Sequence, residues 1–203
     1  MTKQTLIYLV RHGESTANKQ SIINGHGDPP LTDIGRDQAR QAKRELKDIK
    51  FDVAYSSDLR RAIETAEIIY GKPLPKTNQL HNLRERNFGS LEGKPEKLLK
   101  ADNLQRIKLP DEERWLHKHV PDMESDQELV HRITVALEDI TRQKAGKTIL
   151  VVAHGGAIRT TVMQLTSLTF VDLPTGSFKN AGYAELTYND KGFKVIQISG
   201  VKI

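Results

Sequence analysis

The chain has 203 residues and no cysteine, which excludes disulfides, thiolate metal sites and a cysteine nucleophile. Its formal charge of +5 comes from basic residues mixed with acids, as in Lys94-Pro95-Glu96-Lys97, and aromatics make up only 5% of the chain, so no basic–aromatic run points to nucleic acid. No apolar stretch approaches the length of a membrane span, so the expectation is one domain over 1–203 with a sizeable core, in the cytoplasm, with no nucleic-acid or membrane partner and an oligomeric state left open.

In chain order, Leu6-Ile7-Tyr8-Leu9-Val10 reads as a buried strand that ends abruptly in Arg11-His12-Gly13. Residues 14–19 open a short helix, and 21–30 form a loop with glycines and prolines. Thr32 is the expected N-cap of a helix with an Ala39, Ala42 and Leu46 stripe. Phe51-Asp52-Val53-Ala54-Tyr55 is a short strand. Ser56-Ser57-Asp58 is expected to cap the next helix, whose Leu59, Ala62, Ile63, Ala66 and Ile69 share a face. From Asn87 to Asp122 the periodicity weakens, and this stretch reads as a lid-like excursion within the domain. Ser125-Asp126-Gln127-Glu128 is a capping box ahead of Leu129, Ile133, Leu137 and Ile140.

A second strand, Thr148-Ile149-Leu150-Val151-Val152-Ala153, ends in His154-Gly155-Gly156 and leads into a helix. Two segments flanking Asn189-Asp190-Lys191-Gly192 close the chain as a hairpin. The fold class is therefore α/β, a three-layer α/β/α sandwich whose sheet is mostly parallel with an antiparallel edge. Ligands of open α/β sheets bind beyond the carboxyl ends of the strands, so His12 and His154 are expected on one rim. With Arg11 beside them, the pair indicates an anion-handling site. Arg60 and Arg61 are indistinguishable by helical pattern. Glu85 lies between Arg84 and Arg86, where a surface ion pair is the ordinary expectation. Ser57 reads as a cap, and His26, His81, His117, His119 and His131 as loop or surface residues.

Arg11-His12-Gly13-Glu14-Ser15 with Asn18, Leu31-Thr32-Asp33-Ile34-Gly35, Ser56-Ser57-Asp58-Leu59-Arg60-Arg61-Ala62, Leu83-Arg84-Glu85 through Phe88-Gly89 to Glu92-Gly93, and Ala153-His154-Gly155-Gly156 occur in that order. This ordered set resembles the histidine phosphatase superfamily, which includes the cofactor-dependent phosphoglycerate mutases. The resemblance implies that His12 is a nucleophile forming a phosphohistidine and that Glu85 donates a proton to the leaving group. Arg11, Arg61 and His154 would hold the phosphoryl oxygens, and Asn18 and Gly155 would contact the substrate. Glu92 matches the family pattern and ranks below Glu85 as an acid.

The chemistry suits those residue types. A phosphate monoester carries about −1.5 to −2 charges and needs more than one cation, and an arginine engages its oxygens bidentately. A nucleophilic histidine must be neutral, which an adjacent Arg11 favours. A general acid must carry its proton. The expected activity is a phosphomonoesterase acting on a small phosphorylated substrate, with no metal and no cofactor. A phosphoglycerate mutase and a non-catalytic phospholigand-binding module are the alternatives. Ala17, where the mutases typically carry tryptophan, and the shortness of the excursion favour the phosphatase.

Overall fold

A computed structural model describes residues 4–201. Six strands, β1 (Thr5–Arg11), β2 (Val53–Ser57), β3 (Gln79–Leu80), β4 (Thr148–Ala153), β5 (Phe178–Asn189) and β6 (Gly192–Val201), form one sheet. Their order is β3-β2-β4-β1-β5-β6. β1 runs parallel to β4, and β4 and β3 each run parallel to β2, whereas β5 and β6 are antiparallel. The sheet is thus parallel at one side and antiparallel at the other edge, as expected.

Residue alternation in the two central strands builds the layers. Ile7, Leu9, Ile149 and Val151 face the helices α6 (Asp126–Gln143) and α7 (Gly155–Leu165), packing on Leu129, Ile133, Leu137 and Ile158. Tyr8, Val10, Leu150 and Val152 face the opposite side. There they meet Ala42 of α2 (Asp33–Glu45) and Ala62, Ala66 and Ile69 of α3 (Arg60–Tyr70). Both strands are sealed on both faces, which is why they read as unbroken apolar runs. Each such leucine or isoleucine contributes about 1.5–3 kcal/mol on burial.

The expected caps hold at Thr32, whose Oγ1 accepts from Gly35 N at 3.0 Å, and at Ser125, which forms its capping box with Glu128. The cap expected at Ser56-Ser57-Asp58 is corrected. β2 runs through Ser57, and α3 starts after Leu59 with no side-chain cap. Ser57 is consumed by another partner, described below. The first helix is shorter than expected. α1 (Thr16–Lys19) starts after Ser15, which shares a capping box with Asn18. The terminal hairpin turns at Asn189, whose Oδ1 accepts from Lys191 N, and its strands extend beyond the expected segments.

The excursion contains α4 (Lys97–Arg106) and α5 (Asp111–Leu116). It is anchored by a charged cluster rather than by apolar packing alone. Asp126 is fully buried, and its carboxylate receives Arg86 and Arg106, with Arg159 at 3.4 Å. The guanidinium carbons of Arg106, Arg114 and Arg159 lie 4.8–5.3 Å from the centre of the Phe170 ring. Among the described residues no helix is long and apolar enough to cross a membrane.

Candidate active site

The two strand-end histidines meet because β1 and β4 are neighbours in register. Arg11 pairs with Ala153, and His12 N donates to Ala153 O at 3.0 Å. The imidazole centroids stand 5.0 Å apart. Both rings are buried, His12 with 4% and His154 with 0% of its surface exposed. The turn after β1 is tight. A Cβ on Gly13 would collide with the carbonyl of Gly35, which explains the bare backbone there.

Hydrogen bonding assigns the tautomers. His12 Nδ1 lies 2.6 Å from Gly13 O, which can only accept, so Nδ1 carries the proton and Nε2 a lone pair. Arg61 Nη2 lies 3.3 Å from His154 Nδ1 and can only donate. His154 therefore carries its proton on Nε2 and donates it to Ser57 Oγ at 2.7 Å. Burial drives the His12 pKa well below 6.5, and Arg61 and then Arg11 push it further down. His154 is lowered in the same way by burial and then by Arg61. Both rings are neutral near pH 7.

Arg61 and Arg60 separate cleanly. Arg61 is 1% exposed and points its Nε at His12 Nε2. Its Nη1 and Nη2 donate to the carbonyls of Gly27 and Gly25, at 2.8 and 2.9 Å. Burial lowers its pKa to about 10, so it stays cationic at neutral pH. Arg60 is exposed and paired with Asp28. Arg11 donates from Nη1 to Phe178 O, while its buried Nε has no hydrogen-bond partner among the described residues. That orphaned donor faces Gly155, where a Cβ would come within 3.1 Å of it.

Glu85 is no surface ion pair. Arg84 bonds Asp58 and Arg86 bonds Asp126. The Glu85 carboxylate instead sits on the N-terminus of α7, where Oε2 accepts from Gly156 N and Oε1 from Ala157 N and Arg86 N, at 2.8–3.2 Å. The helix dipole favours an anion there. A Cβ on Gly156 would stand 2.5 Å from Oε1, so the carboxylate needs this glycine.

A cavity of about 280 Å³ opens beside Arg11 and Glu85, lined also by Asn18 and Gly155 on the sheet side, whereas His12, Arg61 and His154 are not among its lining residues. Asn18 commits Oδ1 to Ser15. The excursion supplies the facing wall, with Lys100 and Arg106 from α4 and with His117 and His119, which both approach Asp102. His117 and His119 are therefore half-buried loop residues at the cavity wall. His26 is the loop residue expected, and its Nε2 lies 3.2 Å from Glu85 O. Sequence reasoning missed Ser57 as the partner of His154, although its place at a strand end beside the two histidine strands was an available signal. It also missed the arginines gathered on Asp126, for which spacing holds no signal.

The sequence profile of the histidine phosphatase superfamily (branch 1) matches residues 7–199. The chain is 30% identical over 195 residues to the uncharacterized phosphatase PhoE of Bacillus subtilis (strain 168), covering 94% of this chain and 95% of that protein. The crystal structure of phosphoglycerate mutase from Bacillus anthracis str. Sterne superposes with a TM-score of 0.81 at 28% identity, covering 98% of this chain and 94% of that one. A mutant phosphoserine phosphatase from Entamoeba histolytica, in complex with phosphoserine, gives 0.80 at 26% identity over 96% of both chains. Mutases and phosphatases thus share this architecture. The chain belongs to the histidine phosphatase superfamily.

Proposed function

We propose that the chain is a phosphomonoesterase that works through a phosphohistidine on His12. The observation that carries this reading is the His12 tautomer: Nδ1–H is spent on Gly13 O, so Nε2 holds the electron pair, which Arg61 Nε covers at 3.3 Å. In the first displacement Nε2 bonds to phosphorus as the ester P–O bond breaks. Arg61 and Arg11, whose Nε lacks a partner among the described residues, take the phosphoryl oxygens. Asn18 borders the cavity, His154 lies against Arg61 Nη2, and Gly155 lets Arg11 approach. Glu85 Oε2, which accepts a single N–H, takes up a proton as the dianionic ester enters beside it, offsetting the helix terminus, and passes that proton to the departing oxygen. In the second displacement water attacks phosphorus, gives a proton to Glu85 and restores His12. Two guanidiniums supply the charge stabilisation that a metal would otherwise provide, so activity should persist after exhaustive chelation, and its loss with recovery on added magnesium or zinc would overturn this.

The substrate is a small phosphorylated molecule, a reading supported by the relative that binds phosphoserine. Rapid quenching with a labelled phosphate ester should trap an acid-labile, base-stable label on the native chain and none on His12→Ala. Label retained in His12→Ala, or an acid-stable phosphoester, overturns the assignment. Likeness to the Bacillus anthracis mutase supports a second reading, return of the phosphoryl group to a sugar acid. Isomerisation of 3-phosphoglycerate to 2-phosphoglycerate with little phosphate release would establish that reading instead.

A further inference from the structure

Glu92 takes no part in the chemistry outlined above, yet its carboxylate is heavily engaged. It accepts from Gly25 N at 3.0 and 3.1 Å, from His26 N at 3.0 Å and from Phe88 N at 3.3 Å. Those N–H groups belong largely to the loop whose carbonyls, Gly25 O and Gly27 O, receive Arg61. The loop has little room to shift, because a Cβ on Gly25 would collide with the carbonyl of Arg86. Asp28 closes its far end on Arg60. Arg61 is thereby gripped along its Nη1/Nη2 edge, and the Nε/Nη2 side is left facing His12 and His154.

We infer that Glu92 is a positioning residue for Arg61: it fixes the peptide groups of residues 25–27 so that their carbonyls aim the guanidinium at the phosphoryl position over His12. A carboxylate suits this task because it is acceptor-only, and among the described residues every hydrogen-bond partner it has is a backbone N–H. An amide with its oxygen at the Oε1 position would turn its NH2 group onto Gly25 N, from which Oε2 now accepts. The inference rests on the phosphohistidine reading, since it is the phosphoryl group that Arg61 is aimed to receive.

The test is a double-mutant cycle between Glu92→Gln and Arg61→Ala, read as single-turnover label transfer from p-nitrophenyl phosphate to His12. Misplacing a reacting or stabilising group by about 1 Å costs up to about a hundredfold in rate. Glu92→Gln should therefore slow transfer by about ten- to a hundredfold in the native background, and by less than about twofold once Arg61 is gone. A second readout is the His12 pKa followed by NMR. Loss of Arg61 alignment should raise it in Glu92→Gln, with no further rise when the change is added to Arg61→Ala. This pKa readout also applies to a folded variant too slow to label. An equal rate loss in both backgrounds, an unchanged native rate, or a His12 pKa unmoved by Glu92→Gln overturns the inference. Failure of the native chain to form any label overturns the phosphohistidine reading itself, a different outcome.

Discussion

Arg61 Nε stands 3.3 Å from His12 Nε2, directly on the electron pair that phosphoryl transfer requires. The contact has two opposed effects. The cation keeps the imidazole neutral, and its N–H occupies the nucleophilic position until an anion draws it away. Arg61→Gln should therefore raise the His12 pKa towards 6.5, since burial remains but the largest charge contribution is gone. The acid limb of phosphoenzyme formation, measured by quenched flow against pH, should move upward. The plateau rate should fall by about a hundred- to a thousandfold, the usual scale for one oriented donor. An unmoved acid limb would show that Arg61 does not act on His12.

The same burial makes the fold acid-sensitive. Both His12 and His154 are held neutral, with folded pKa values below the 6.5 of an unfolded histidine. Between those values the unfolded chain binds more protons than the folded one, so stability rises with pH across that window. It is fully present above about 6.5 and is lost as pH falls through the depressed folded values, by up to about 1.4 kcal/mol per pH unit for each ring. Denaturant titrations at pH 5 and 6.5 should show this loss, and His12→Asn should flatten it. An identical slope in the variant would place the acid sensitivity elsewhere.

Glu85→Gln separates proton donation from positioning. An alkyl phosphate expels a strongly basic alkoxide and needs the proton, whereas p-nitrophenolate leaves with little help. Single-turnover label transfer should drop by about a hundred- to ten-thousandfold on alkyl esters and much less on p-nitrophenyl phosphate. Gly156→Ala pushes a methyl group against the same carboxylate, 2.5 Å from Oε1, and should show the same ester dependence. Equal losses on both ester types would mean that Glu85 only places the phosphoryl group.

Asp126→Ala should leave Arg86, Arg106 and Arg159 buried around an empty position. Breaking a buried ion pair from one side costs about 3–5 kcal/mol. Equilibrium urea unfolding should show a loss of that size. A loss below about 1 kcal/mol would mean that water reaches and solvates the cluster.

The sheet and the strand-end histidines were legible because they depend on local periodicity: apolar runs of strand length, each ended by a histidine and glycines. Thr32 and Ser125 were legible for the same reason, since a cap and its partner lie three residues apart. Ser57 was misread because its sequence neighbourhood, just ahead of an amphipathic helix, suits a cap equally well. Its actual partner, His154, is 97 residues away. Arg61 could be chosen over Arg60 only through the family pattern, because both bond the 25–28 loop, Arg60 at exposed Asp28 and Arg61 at the carbonyls of Gly25 and Gly27, and only Arg61 also faces the histidines. The cluster on Asp126 gathers charges from positions 86, 106 and 159, and no spacing rule connects them.

The pairing of β1 with β4 means that the span between the two histidines is set by the distance between hydrogen-bonded strands, since Arg11 lies opposite Ala153 and His12 N reaches Ala153 O. The sheet serves as a ruler for the two histidines, while the connections between its strands bring Arg61 and Glu85 to them and, at α4 and α5, one wall of the cavity. Lengthening or exchanging α4 and α5 would leave the ruler untouched while rebuilding one wall of the cavity. Such a molecule can change what it accepts without recalibrating how it reacts, and grafted excursions should alter substrate range while the label still lands on His12.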